Sequence, residues 1–361
     1  MPVVTNTAAS KAAPSPISGA AQRPLAITMG EPAGIGGEIA LKAWQHGHGT
    51  GTPFFLIDDP ARLAALARRL NLSIPIVEIA APDEAARHFA SSLPVLALTL
   101  AKPVHAGQID TANGPAVIES IRRAVAYAMA GEVAAVVTNP IHKKALYDGG
   151  FRHPGHTEFL AELTQLTTPP VMMLASTTLR VVPVTIHLSL RQAIDSLRED
   201  AIIHCARVTA EALKTDFGIA APRLAISGLN PHAGEDGAMG REEAEIIRPA
   251  IAKLRDMGLT VAGPLPADTM FHATARAAYD AAICMYHDQA LIPLKTLAFD
   301  HGVDGTLGLP IVRTSPDHGT ALDIAGSGRA NPASLIAALA MASDIARRRL
   351  ALGPAAAKPH A

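Results

Sequence analysis

The sequence is poor in several residue types that would point to particular functions. Only two of its 361 residues are cysteines, Cys205 and Cys284, and they lie far apart. This number and spacing exclude a disulfide framework and a thiolate zinc site, and they favour a reducing compartment. Aromatic residues make up 4% of the chain, which is poor for stacking nucleic-acid bases.

The chain also lacks an excess of either charge and any long apolar run. Lys and Arg number 31 against 32 Asp and Glu, so the formal net charge is -1 and no overall field attracts nucleic acid or an anionic membrane. No apolar run approaches the roughly 20 residues that span a bilayer, and the amino terminus does not resemble a signal peptide. We therefore expect a cytoplasmic protein that binds neither nucleic acid nor membranes.

Apolar residues, by contrast, are abundant. They make up 49% of the chain and charged residues only 17%, which is ample for a packed core. At roughly 150 residues per domain, the length predicts about two domains. Residues 1–23 are rich in Ala, Ser, Pro and Thr and are expected to form a flexible tail, with a transit peptide as the weaker alternative. The last ten residues are also expected to fray.

Short apolar runs alternate with segments of helical periodicity between these tails. The predicted strands are Leu25–Thr28, Pro53–Ile57, Val95–Leu98, Ala134–Thr138, Val171–Leu174, Val181–Ile186, Arg223–Ser227 and Ala281–Met285. The predicted helices are Gly37–Trp44, Pro60–Leu70, Ala112–Ala130, Glu158–Leu166, Leu190–Ala212, Arg241–Met257 and Ala333–Ala351. This alternation predicts an α/β fold with a largely parallel sheet.

Histidines follow four of the predicted strands, where ligands bind in open α/β sheets. They are His142, His187, His232 and His287, and His153 and His156 come shortly after the first of them. Three neutral imidazoles can hold a catalytic divalent metal while leaving positions open for a substrate. The long spacings match no local metal motif, so histidines held by hydrogen bonds in loops are an equally good interpretation.

Other polar segments are candidates for binding anions and nucleotides. The segment GEPAGIGGE, residues 30–38, comes between a strand and a helix, either as a phosphate cradle or simply as a tight turn. Asp268 suits an acid–base role or a helix N-cap. Lys295 and Arg313 suit a phosphorylated or carboxylated substrate, although each can equally be a solvated surface charge. The glycine-rich loop 317–332, with Gly319, Asp323, Gly326 and Asn331, is a candidate for wrapping a nucleotide.

The motifs together carry a family resemblance. ITMGEPAGIGGEIA, VVTNPIHKKAL, GHTEFLA, GLNPHAGEDGAMGREE, GPLPADTMF, YHDQALIPLK and TLGLPIVRTSPDHGTALDIAG occur in the order seen in 4-hydroxythreonine-4-phosphate dehydrogenases of pyridoxal phosphate biosynthesis. The chain resembles that family over about residues 24–350. The loop HGTALDIAGSGRANP is also similar to the NAD loop of isocitrate and isopropylmalate dehydrogenases.

The resemblance implies an architecture and a reaction. It implies an isopropylmalate dehydrogenase-like fold of two α/β domains, one formed by 24–140 and 298–352 and the other by 141–297. It implies a homodimer with the active site in the interdomain cleft at the subunit interface. The implied reaction is NAD- or NADP-dependent oxidation of 4-hydroxythreonine 4-phosphate followed by decarboxylation to 3-amino-2-oxopropyl phosphate. The metal implied is divalent, with zinc preferred over magnesium or cobalt.

The resemblance also implies roles for residues at matching positions. Three histidines are the metal ligands, Asp268 and Lys295 are the candidates for proton transfer, and the glycine-rich loop binds the cofactor. The metal ligands are His187, His232 and His287; the substrate ligands are His156, Thr157, Lys295, Asp304 and Arg313; the cofactor residues are Gly319, Asp323, Gly326 and Asn331.

Asp304 departs from the family, which usually has Asn at this position. A carboxylate only accepts hydrogen bonds and would repel an anionic substrate unless Lys295 or Arg313 compensates. This leaves another phosphorylated four-carbon acid, such as threonate 4-phosphate, as an alternative substrate. A phosphate acyltransferase of similar fold and a non-catalytic binding protein are the alternatives from other functional classes.

Overall fold

The computed structural model describes residues 23–49, 51–148, 151–153 and 155–353 of the chain. The predicted tail over 1–23 falls outside the described residues except for Arg23, and so do most of the last ten residues. No helix within the described ranges is long and apolar enough to cross a membrane.

The strands of the described residues are short and belong to one sheet. They are β1 (Leu25–Thr28), β2 (Phe54–Asp58), β3 (Ile76–Ile79), β4 (Leu93–Ala97), β5 (Ala135–Val137), β6 (Val171–Ala175), β7 (Arg180–Thr185), β8 (Arg223–Ser227), β9 (Thr260–Leu265), β10 (Ala281–Tyr286), β11 (Val303–Leu307) and β12 (Arg313–Pro316). Their order across the sheet is β3-β4-β2-β1-β5-β12-β11-β6-β7-β10-β8-β9.

The helices of the described residues connect these strands. They are α1 (Gly36–Gly47), α2 (Pro60–Arg69), α3 (Ala85–His88), α4 (Gly114–Met129), α5 (Lys143–Asp148), α6 (His156–Leu163), α7 (Leu190–Ser196), α8 (Glu199–Thr215), α9 (Arg248–Asp256), α10 (Ala273–Arg276), α11 (His287–Ala298) and α12 (Ala333–Leu352). A π-helical turn, Glu243–Ile247, precedes α9.

The sheet is parallel at both ends and antiparallel in the middle. Strands β1 to β5 and β12 pair in parallel, as do β7 to β10. Between these groups, β11 is antiparallel to β12 and to β6, and β6 is antiparallel to β7. The two parallel groups therefore run in opposite directions. The predicted mostly parallel α/β class is confirmed; the division into domains at 140/141 and 297/298 stays a prediction.

Both faces of the sheet are buried. Leu25 and Ile27 of β1 pack in a cluster with residues of α1 and α12, whereas Ala26 packs on the other face with residues of α4 and α6. This follows from the alternation of side chains along a strand, and a sheet covered on both faces explains the nearly continuous apolar runs. Two further clusters flank the β6–β10 side.

The predicted elements are found with shifted ends, and two predicted helices are interrupted. The helix predicted over Leu190–Ala212 divides into α7 and α8 because Leu197 and Arg198 have extended backbones. The helix predicted over Arg241–Met257 consists of the π turn followed directly by α9. Strands β3, β9, β11 and β12 and helices α3, α5, α10 and α11 were not predicted.

Candidate active site

Three of the strand-end histidines follow strands that are neighbours in the sheet. His187 follows β7, His232 follows β8 and His287 follows β10, and the sheet order places β10 between β7 and β8. These strands are parallel, so their carboxyl ends lie at the same edge. A hydrogen bond from the Thr185 hydroxyl to the Met285 carbonyl joins β7 and β10 two residues before each histidine.

His187 and His287 come together at this edge. Their ring centroids are 5.9 Å apart, a separation at which one cation can contact both imidazoles. His287 opens α11, and its Nδ1 lies 2.7 Å from the Asp288 carboxylate. A cavity of about 210 Å³ lies beside the two rings and is bounded by α7 residues and Tyr286.

His232 does not join them within one chain. It lies on a turn, Pro231–Gly237, in which His232 and the five residues after it have positive φ angles. Left-handed backbone at residues other than glycine is strained and is often found at functional sites. The His232 side chain is 63% exposed, and its Nδ1 lies 3.4 Å from Glu235. Among the described residues no three metal-ligating side chains gather, so two of the three predicted ligands are adjacent and the third is apart.

The surroundings of His187 favour its neutral form. Partial burial lowers the pKa of His187, and the positive charges of Lys143 and His287 lower it further. A neutral imidazole has the free nitrogen lone pair that a metal ligand needs. The pair of His187 and His287 therefore fits a metal that prefers nitrogen ligands, with at least one further ligand still to be supplied.

Two other candidate histidines, His142 and His153, have structural partners. The Nδ1 of His142 accepts a hydrogen bond from the backbone N–H of Ala145 in α5. His153 lies 3.3 Å from Glu162 and packs against the rings of Phe151 and Phe159. For these two residues the structure supports histidines held by local contacts.

Arg313 is buried at the start of β12 and is fully hydrogen-bonded. Its Nη1 donates to Asp304 Oδ2 and to the Thr306 hydroxyl, both at 2.9 Å. Its Nε and Nη2 donate to the Thr138 hydroxyl, and Nη2 also donates to the Ser315 hydroxyl. All five guanidinium N–H groups are thereby used.

Lys295 and Asp317 form a second ion pair in this region. Lys295 lies in the last turn of α11, and its Nζ is 3.3 Å from Asp317 Oδ2. Burial raises the pKa of Asp317, Lys295 lowers it, and the negative charge of Asp304 raises it. Asp304, Arg313, Lys295 and Asp317 thus act on each other electrostatically.

His156 and Thr157 are the first residues of α6. The Nε2 of His156 is buried and has no hydrogen-bond partner among the described residues. Burial lowers the pKa of His156 well below its usual value, and the charges of Arg313 and Lys143 lower it further. A helix N-terminus with a nearby lysine attracts anions, so this end of α6 suits a phosphate or carboxylate.

Asp268 lies in a short 3₁₀ helix, Ala267–Thr269, after β9. Its side chain is exposed, and none of the ion pairs and hydrogen bonds described above includes it. The proposed proton-transfer role of Asp268 therefore stays a prediction.

The glycine-rich loop 317–332 is irregular and is held by α1, α2 and the segment before α1. Lys42 of α1 donates to the carbonyls of Gly328 and Ala330, and Glu38 accepts from the Ala330 N–H. Arg69 of α2 donates to the Gly326 carbonyl. Gly326 is buried with φ +64°, and a Cβ there would lie 2.9 Å from Ala106. Gly319, Asp323 and Asn331 are exposed on the same loop.

The segment 30–38 supports this loop. The N–H of Glu31 donates to the Pro140 carbonyl, and the N–H of Ile35 donates to the Thr320 carbonyl. The N–H groups of Ala33 and Gly34 donate to the carboxylate and the carbonyl of Glu31. A Cβ at Gly34 would lie 2.8 Å from the Thr320 carbonyl oxygen. Four amides that a phosphate cradle would need are already used, so the tight-turn interpretation fits this segment.

Comparison with known proteins identifies the family. The family model described as "Pyridoxal phosphate biosynthetic protein PdxA" matches residues 51–342. A curated 4-hydroxythreonine-4-phosphate dehydrogenase from Bradyrhizobium diazoefficiens is 55% identical over 338 residues, covering 90% of this chain and 98% of that protein. One from Caulobacter vibrioides is 52% identical over 332 residues, covering 91% and 98%.

The chain belongs to the PdxA family. The crystal structure of a 4-hydroxythreonine-4-phosphate dehydrogenase from Klebsiella pneumoniae matches with a TM-score of 0.82 at 40% identity, covering 90% of this chain and all of that one. The resemblance inferred from the motifs is thereby confirmed.

In this PdxA-family chain, several residues around the candidate site were not predicted from the sequence. Thr138, Thr306 and Ser315 surround Arg313, Asp317 pairs with Lys295, and Lys143 acts on two site histidines. Strand β12 has the sequence RTSP and carries no apolar alternation, so the sequence offered no signal that would have placed Thr306 and Ser315 beside Arg313.

Proposed function

We propose that this chain oxidises 4-hydroxythreonine 4-phosphate with NAD and then decarboxylates the product to 3-amino-2-oxopropyl phosphate. Two relatives that are 55% and 52% identical to this chain are named as dehydrogenases of this substrate. The matches cover 90% and 91% of this chain and 98% of each relative. The observation that carries the proposal is the adjacent pair of His187 and His287 at the same sheet edge. NADP is the alternative cofactor.

His187 and His287 would hold a divalent metal. Imidazole ligands suit zinc better than magnesium, and cobalt is a further alternative. When bound there, such a metal would lower the pKa of the substrate hydroxyl and stabilise the negative charge that follows decarboxylation. We assign the third imidazole to His232 of a second copy of the chain, because His232 is exposed on a strained turn and does not reach the pair in its own chain.

Exposed apolar side chains near these histidines support a homodimer. Leu190, which is 58% exposed, lies with Leu188 and Ile194 on and beside α7, directly after His187. Ile292 and Phe299 lie exposed on and beside α11, which begins at His287, and Phe299 is 76% exposed. Large apolar side chains clustered at a surface mark an interaction site. A second copy docked here would bring its residues close to the metal site.

The anionic ends of the substrate would bind the cationic residues of the site. His156 and Thr157 at the start of α6, with Lys143, provide a site for the phosphate. Lys295, which lies beside Asp317, and Asp268 are the two candidates for moving the hydroxyl proton as hydride leaves the substrate, and the choice between them stays open. Arg313 positions Asp304 and the surrounding hydroxyls.

The cofactor would bind the loop 317–332. Gly319 has open space around it, and Asp323 and Asn331 are exposed, so the loop can take part in a contact with a nucleotide. Its anchoring by α1 and α2 reduces the ordering entropy that binding would otherwise cost. Both cysteines are buried and unpaired, which supports a reducing, cytoplasmic setting.

A turnover assay tests this function. Enzyme, NAD, a divalent metal and 4-hydroxythreonine 4-phosphate are expected to produce NADH and carbon dioxide in equal amounts. The D- and L-threonate 4-phosphates serve as comparison substrates, because the relatives are named for 4-hydroxythreonine 4-phosphate and not for these compounds. Failure to form NADH with 4-hydroxythreonine 4-phosphate under any metal condition would reject the proposal. Acyl transfer from an acyl-coenzyme A to phosphate without any NADH would favour the transferase alternative.

A further inference from the structure

We propose that Asp304 recognises the ammonium group of the substrate and so makes this enzyme selective for an amino acid over the corresponding hydroxy acid. The inference rests on the proposed function and adds a basis for substrate choice to it. In this proposal, the Asp304 carboxylate, which lies among the residues expected to bind anions, binds the only positive charge on the substrate.

One oxygen of Asp304 is fixed by the protein. Its Oδ2 accepts a hydrogen bond from Arg313 Nη1 at 2.9 Å and another from the Ser315 hydroxyl at 3.3 Å. The pairing of β11 with β12 places Asp304 opposite Ser315 in the sheet. The position and orientation of the carboxylate are therefore set by strands and do not depend on a mobile loop.

The other oxygen, Oδ1 of Asp304, is buried and has no hydrogen-bond partner among the described residues. A buried carboxylate oxygen without a donor is costly, and a ligand that brings a donor removes this cost. The side chain as a whole is 19% exposed, so part of Asp304 faces the open side of the site although Oδ1 itself is buried.

The neighbouring arginine does not offer a donor to the ligand. All five N–H groups of Arg313 are used by Asp304 and by the hydroxyls of Thr138, Thr306 and Ser315. The pair thus presents an unsatisfied acceptor but no unused guanidinium donor. Such a site favours a cationic donor over an anion.

The predicted substrate carries such a donor. In 4-hydroxythreonine 4-phosphate, C2 bears an ammonium group, whereas in the threonate 4-phosphates it bears a hydroxyl. Both groups can donate a hydrogen bond, but only the ammonium adds a positive charge opposite the carboxylate. A hydrogen bond between two charged groups is worth more than one to a neutral donor.

Equilibrium binding tests the inference separately from turnover. Calorimetry would give the dissociation constants of 4-hydroxythreonine 4-phosphate and of both threonate 4-phosphates for the wild type and for Asp304→Asn. We expect the wild type to bind the amino compound about tenfold or more tightly. In Asp304→Asn we expect amino-acid binding to weaken about ten- to a hundredfold, with the hydroxy acids unchanged or tighter.

Controls separate a local effect from a general one. Asp344→Asn removes the same charge from an exposed pair on α12 and should change none of the constants. The wild-type comparison needs no variant, so it stands even if Asp304→Asn unfolds. Equal binding of amino and hydroxy compounds by the wild type, or an equal loss of both in Asp304→Asn, overturns the inference. Selective binding without NADH formation would instead support the inference and reject the proposed reaction.

Discussion

The charge of Arg313 is almost completely removed from solvent, and the side chain remains buried only because of its partners. An unpaired buried guanidinium is strongly unfavourable, so Asp304 and three hydroxyls supply a counter-charge and acceptors. From the sequence alone, Asp304 is a negative charge beside Lys295 and Arg313, the residues expected to bind an anionic substrate. Its pairing with Arg313 depends on the β11–β12 register, which a single sequence does not reveal.

His156 should make the stability of the protein depend on pH. Burial and the charges of Arg313 and Lys143 lower the pKa of His156, so the native state keeps it neutral while the unfolded chain takes up a proton near its usual pKa of 6.5. The unfolded state then binds more protons, and stability is lost as pH falls below about 6.5, by at most about 1.4 kcal/mol per pH unit. Urea unfolding at a series of pH values should show that the free energy of unfolding falls less below about pH 6.5 in His156→Gln than in the wild type.

The control for this prediction is His301→Gln, which changes an exposed histidine and should keep the wild-type slope. An unchanged slope in His156→Gln would contradict the assignment of a buried neutral imidazole.

At the scale of elements, the amphipathic helices were predictable and several strands were not. Helices α2, α4 and α12 carry apolar residues at helical spacing, and their predicted ends are within two residues of those observed. Strand β12 has the sequence RTSP and β9 contains Gly-Pro, so neither has the apolar alternation that indicates a strand. Those strands form through pairing with distant segments.

Helix α1 should act as a positioning element for the cofactor loop. Lys42 donates to two loop carbonyls, so Lys42→Met should loosen the loop and raise the KM for NAD about tenfold, with kcat and the KM for the phosphorylated substrate little changed. Lys42→Arg should restore part of the affinity. Steady-state kinetics with each substrate varied in turn would measure this.

Lys253→Met, on the exposed face of α9, is the matched control for Lys42→Met. If Lys42→Met lowered kcat and left the KM for NAD unchanged, α1 would not act through the cofactor loop.

At the scale of the whole molecule, the sequence predicted the α/β class and the placement of histidines after strands. It did not predict that β11 and β6 reverse the sheet, so His142 leaves its strand in the direction opposite to His187. Among the strand-end histidines of the described residues, His187, His232 and His287 follow strands that are neighbours of one another and parallel. The proposed metal site then needs a second copy of the chain, because His232 lies apart from the other two.

Metal content tests this central claim most directly. Mass spectrometry of the purified wild type is predicted to find about one divalent metal per subunit, and His187→Ala and His232→Ala are each predicted to lose it while staying folded. Mixing these two variants should restore part of the metal content and of the turnover. In a dimer with one chain of each variant, one of the two sites has His187 and His287 from one chain and His232 from the other. The control variant His301→Gln should behave as wild type. Full metal content and wild-type turnover in both alanine variants would contradict the account.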